Sequence, residues 1–119
     1  MNSLTLLNPA TRILDSRTFG VSTGRLGDAR PGDDGYRTIS VPNSGGKLAA
    51  EITLTAVDPR PGYITVWPTG SKPIVSALNM TGIEAAIANT TTVQLSQGRF
   101  RLFVRGDSHV LIDLIGLWS

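Results

Sequence analysis

The chain has 119 residues, no cysteine, one histidine and a formal net charge of +2. That length makes one domain able to bury a core without a metal or a cross-link, and the lack of cysteine excludes a disulfide framework and any thiolate metal site. The charge is mild and spread along the chain, which argues against a specific nucleic-acid partner, and no apolar run approaches the ~18 residues that span a bilayer as a helix.

Residues 1–12, MNSLTLLNPATR, contain no basic segment, no apolar segment of useful length and no cleavage site of an export signal. A chain opening on Met1 in this way reads as complete and as not exported by a cleaved signal. Thirteen glycines and seven prolines punctuate short apolar runs, which points to many short strands and few helices. The first expected strand is RILDSR, Arg12–Arg17, where Asp15 and Arg17 share a face and pair. Residues 18–35 have no periodicity and read as one long loop, pinned by Phe19, Val21 and Leu26. Asp28, Asp33 and Asp34 lie in that loop, but their spacing does not fit a calcium-binding pattern, so they read as solvated acids.

YRTISV, Tyr36–Val41, is the next strand. LAAEITLTAV follows, with Leu48, Ala50, Ile52, Leu54 and Ala56 on the core face and Glu51, Thr53 and Thr55 in water. YITVW comes after the turn DPRPG, with Ile64 and Val66 inward and Tyr63 and Trp67 as a possible surface-binding platform. IVSALNM and TTVQLS continue the pattern, and Ile83–Ala88 is a single helical turn or a lead-in to a strand. Asn79, Asn89 and Asp113 stand among apolar strand residues and are expected to make internal hydrogen bonds that fix loops.

RFRLFVR alternates cleanly. Phe100, Leu102 and Val104 face the core, while Arg99, Arg101, Phe103 and Arg105 form a cationic stripe suited to an anionic surface. Arg105-Gly106-Asp107 matches an adhesion tripeptide, yet a glycine between two strands is what a tight hairpin requires. Ser108 and His109 are neighbours on a strand and point to opposite faces, so they are no nucleophile–base pair. His109 and Asp113 share a face but sit ~13 Å apart along a strand rising ~3.3 Å per residue. The last strand is apolar on both faces, with Leu111, Ile115 and Leu117 on one and Val110, Ile112, Leu114 and Trp118 on the other. A sandwich strand normally keeps one wet face, so Leu111, Ile115, Leu117 and Trp118 are expected to meet another subunit or to lie under the long loop.

Taken together these strands predict an all-β, single-domain antiparallel β-sandwich over residues 1–119, jelly-roll or immunoglobulin-like, with about eight strands. RILDSR, PG at Pro31-Gly32, ITLTAV, GYITVWPTG, SALN, AN at Ala88-Asn89 and SHVLIDLIG also occur in a recurring order. In that order the chain resembles, from about Pro9 onward, a small all-β domain of secreted proteins of high-GC Gram-positive bacteria and of virion proteins of their phages. The family commonly carries threonine at the position of Ser16 and an aromatic at that of Leu117. The resemblance implies a sandwich for display, adhesion or assembly, with no catalytic residue and no cofactor to carry over. A single signal-less copy fits a virion, because phages leave by lysis. The expectation is therefore a non-enzymatic capsid decoration or minor capsid subunit that contacts capsid or tail proteins, with a homo-oligomer, a trimer by preference. The alternatives are a minor tail component or a bacterial envelope module, at the cell surface or outside it, that binds a host surface glycan.

Overall fold

Residues 3–18, 24–27 and 36–119 are described by a computed structural model. The prolines, glycines and threonines cut the chain into nine strands: β1 (Leu4–Asp15), β2 (Leu26–Gly27), β3 (Arg37–Ser40), β4 (Ala49–Val57), β5 (Gly62–Trp67), β6 (Leu78–Met80), β7 (Ala86–Gln94), β8 (Arg99–Arg105) and β9 (Asp107–Trp118). They form two antiparallel sheets packed as a sandwich. The first has the order β1-β9-β4-β7, with β2 continuing the β1 edge against β9, and the second has the order β3-β8-β5-β6. Of the connections after β3, only β5–β6 stays within one sheet; all the others cross from layer to layer.

Alternation decides what each strand buries. Ala50, Ile52, Leu54 and Ala56 of β4 are fully buried opposite Leu117, Leu114, Ile112 and Val110 of β9. Phe100, Leu102 and Val104 of β8 face them from the second sheet together with Ile64 and Ile39. Leu26, on β2, is 1% exposed and packs into the core, whereas Phe19, Val21, Asp28, Asp33 and Asp34 lie outside the described residues.

The structure corrects several expectations. Leu48 stands just before β4, bonds through its backbone to Trp118 and Leu95, and leaves its side chain 51% exposed. Residues 74–77 are loop, with Ile74 fully exposed, and Ile83–Ala88 leads into β7. The strand expected at Arg12–Arg17 begins earlier and stops at Asp15, so Asp15 and Arg17 pair across a turn. Arg105-Gly106-Asp107 is no hairpin: β8 and β9 belong to different sheets, and Gly106 is the corner between them.

From Ile115 on, the apolar double face of β9 has a backbone cause. Glu51 lies opposite Gly116 and Ile52 opposite Leu114, so Ile115 is an extra residue in β9. Such a bulge reverses the parity of everything after it. Val110, Ile112 and Leu114 point inward before it; beyond it Leu117 points inward and joins the core, while Trp118 turns outward and its Nε1 donates to Glu51 at 3.1 Å. Leu111 and Leu117 are 5% and 6% exposed in the single chain, and Ile115 and Trp118 are half-buried. These four residues form no common exposed face, and the burial of β9 needs no second copy.

Candidate docking surface

The outer face of the second sheet gathers the side chains that β8 turns away from the core. Arg101 lies opposite Trp67 of β5 and Thr38 of β3; Phe103 lies opposite Thr65, and Arg105 opposite Tyr63. The guanidinium of Arg101 stacks 4.3 Å above the ring of Tyr36 and its Nη1 donates to the carbonyl of Gly70. Tyr36 meets Trp67 edge-on at 5.8 Å, and Tyr63 packs on Phe103 at 5.9 Å. Lys72 closes the second pair, with Nζ 5.5 Å from the Tyr63 ring and 5.0 Å from that of Phe103.

Residues 68–77 hold this arrangement in place. Thr65 donates to the Val75 carbonyl and Trp67 Nε1 to the Gly70 carbonyl. Trp67 is only 5% exposed as a result, which removes it from the expected binding platform; Tyr63 remains half-buried. Arg99 and Arg105 are exposed, and Arg101 and Phe103 are half-buried. Tyr36 and Lys72 complete the surface; Tyr36 opens the stretch expected as a strand but precedes β3 itself, and Lys72 lies in a loop that strand alternation does not mark.

Charge is segregated between the layers. The strands of the second sheet carry Arg37, Arg99, Arg101 and Arg105 and no acid, and residues 68–77 add Lys72. The strands of the first sheet carry Asp15, Glu51, Asp107 and Asp113 against the single arginine Arg12. The outer face of the second sheet is thus cationic and aromatic through Arg99, Arg101, Arg105 and Lys72, Arg37 lying opposite the core-facing Leu102, whereas the acids of the first sheet are paired, Asp15 with Arg17, Asp113 with Arg12 and Asp107 with Arg25.

The residues that resemble catalytic groups serve the backbone. At the end of β1 the chain leaves the β9 edge, and Ser16 fills the gap: its N–H donates to the Val110 carbonyl at 3.0 Å and its Oγ accepts from Val110 N–H at 2.8 Å. The same hydroxyl lies 3.1 Å from His109 Nδ1, a hydrogen bond whose direction follows the tautomer of the ring. Ser16 is 0% exposed, so this serine–histidine pair meets no substrate. Asp113 is 2.8 Å from Arg12 and takes no part in the pair. Asn79 accepts from Ser76, and Asn89 donates to the Ala77 carbonyl, so both brace the loop as expected, but from exposed positions. Asp107 is held by Arg25 Nε at 2.9 Å, and its own carbonyl accepts from Arg25 and from the amide of Arg60. The adhesion tripeptide is therefore part of a stapled corner. No group of three or more histidines, aspartates or glutamates among the described residues is placed to hold a metal.

Two carboxylates are strongly acidified. Asp15 is held at about 2 by hydrogen bonds from the Arg17 side chain and backbone, and Glu84 at about 2 by Thr81 Oγ1 and the amides of that loop. Both values are depressed on folding, so both interactions stabilise the fold above the ordinary carboxylate range and are lost as pH falls towards 2. Circular dichroism is expected to show stability falling between about pH 4.5 and pH 2, with a shallower fall in Asp15→Asn/Glu84→Gln.

Comparison of the chain with protein-family models, with curated proteins and with solved structures returned no match.

Proposed function

We propose that the protein is a non-enzymatic structural subunit of a phage particle, a capsid decoration or minor capsid subunit that docks on the shell through the outer face of the β3-β8-β5-β6 sheet. The observation that carries this reading is the charge of that face: arginines and a lysine with no acid among them suit an acidic protein surface. Braced aromatics among those cations give the contact rigid, amphipathic area at low entropic cost. The exposed Ile74 and Val75, on the loop that crosses this sheet, add an apolar element at its rim. The resemblance of the ordered motifs to those of virion domains is in keeping with the same reading.

The test is electron microscopy of the particle encoded with this chain. The sandwich should occupy a repeated lattice position with Arg99 and Arg105 towards the shell. Lys72→Glu/Arg105→Glu should leave the particle while melting like the parent, and docking of the parent should weaken steeply with salt. A chain absent from particles that binds purified cell wall saturably would overturn the proposal in favour of an envelope module. A free oligomer with a second copy seated on this face would overturn it in favour of self-association.

A further inference from the structure

At one end of the sandwich, the β3–β4 and β7–β8 connections border an open cleft of about 690 Å³, a volume in the range of small-ligand sites. A smaller concavity of about 210 Å³ adjoins it and shares Gln97 and Arg99 with it. Lys47 stands on the first, Arg101 on the second and Arg99 on both, and no acidic side chain lines either one.

The walls are built of turns. Asn43 (φ 56°) and Gly46 (φ 74°) each follow the left-handed geometry of a tight turn, and Gln97 (φ 54°) and Gly98 (φ 75°) are two such residues in succession. Turns of this kind bring backbone amides to the surface, where they suit an anion. A Cβ added at Gly45 or Gly46 would meet nothing within 4 Å, so the wall there is bare backbone facing open space. The rest of the lining is largely hydroxyl and amide, from Ser40, Thr38, Thr69, Asn43 and Gln97. Lys47 Nζ donates to Ser119 Oγ at 2.9 Å and keeps two further protons.

From this geometry we propose that the cleft binds a phosphate ester of a polyol or sugar, with the phosphate between Lys47 and Arg99 and the hydroxyl-bearing part running along the Thr38–Thr69 side towards Arg101. A guanidinium fork and an ammonium suit three phosphate oxygens, and a hydroxyl-rich wall suits a polyol better than an apolar chain. The cleft shares Arg99 and Arg101 with the docking face but neither Lys72 nor Arg105, and the proposal does not depend on that contact.

The test is an amide NMR titration of the full chain with glycerol 3-phosphate, glycerol, inorganic phosphate and a poly(glycerol phosphate) chain. Glycerol 3-phosphate should shift the amides of Gly45, Gly46 and Gly98 saturably, and glycerol should not. Lys47→Gln/Arg99→Gln should weaken binding about tenfold or more, the loss of a charge-assisted hydrogen bond. Gly45→Leu should block it by filling open space, and Lys72→Gln should leave it intact. Tighter binding of the polymer assigns the ligand to a surface polymer and equal affinity to a free ester, and both support the site. Absence of saturable shifts, indifference to Gly45→Leu, an equal loss with Lys72→Gln, or equal affinity for inorganic phosphate overturns the proposal.

Discussion

Gly62→Ala should lose about 4 kcal/mol of stability, at the exceptional end of single substitutions. Gly62 opens β5, where the β4–β5 crossover passes the β8–β9 crossover. A Cβ there would lie 1.9 Å from the Arg105 carbonyl oxygen and 2.7 Å from its carbon. Both atoms are backbone, so no side chain can swing aside, and β5 must part from β8 along the pairing of Tyr63 with Arg105. Gly106 makes the reciprocal approach: its φ is +100°, and a Cβ would come 2.6 Å from the Pro61 carbonyl. Thermal unfolding should show the midpoint falling by about 15 °C. Gly45→Ala is the control, because its Cβ meets nothing within 4 Å; it should change stability by less than about 0.5 kcal/mol. A Gly62→Ala protein as stable as the parent would mean that the two crossovers do not meet as described.

Ser16→Ala should be the next most damaging, at about 2–3 kcal/mol, because it leaves a buried N–H of Val110 without an acceptor and strips His109 of its partner. Val110 and Ser16 are both 0% exposed, so water cannot take the hydroxyl's place without opening the edge. Urea unfolding measures the loss, and faster exchange of the Val110 amide locates it. Ser16→Thr keeps the oxygen and should lose about 1 kcal/mol or less. Equal losses in the two variants would assign the effect to packing rather than to the hydrogen bond.

Period-two patterning made β4, β5 and β8 legible, including which of Phe100–Arg105 faces water, because the face of a residue within one regular strand is a local property. The docking face was half visible for the same reason: its arginines alternate along β8 and Tyr36 opens an expected strand, whereas Lys72 reaches it only through the fold. Pairing between distant segments leaves no local trace. Ser16 meets His109 across 93 positions of sequence, so the neighbouring Ser108 drew the comparison instead. Alternation also assumes an unbroken ladder. The bulge at Ile115 breaks it and reverses the parity of Leu117 and Trp118, while Leu111, before the bulge, stays buried on the face opposite Val110 and Ile112. Gly106 was recognisable as a corner, but a glycine between strands does not say whether the chain folds back in its own layer or changes layer.

The layer-to-layer weave of the connections has a kinetic consequence. A strand in a meander can peel away with its hairpin partner, but here β4, β7, β8 and β9 are each joined to strands of the opposite sheet. Releasing one pulls on both layers, so partial opening is penalised and most of the fold must loosen together. The same interlacing makes assembly slow, since contacts distant in sequence must form before they reward the chain. It also raises the barrier to leaving the native state, and a half-life set by that barrier outlasts what the equilibrium stability alone would suggest.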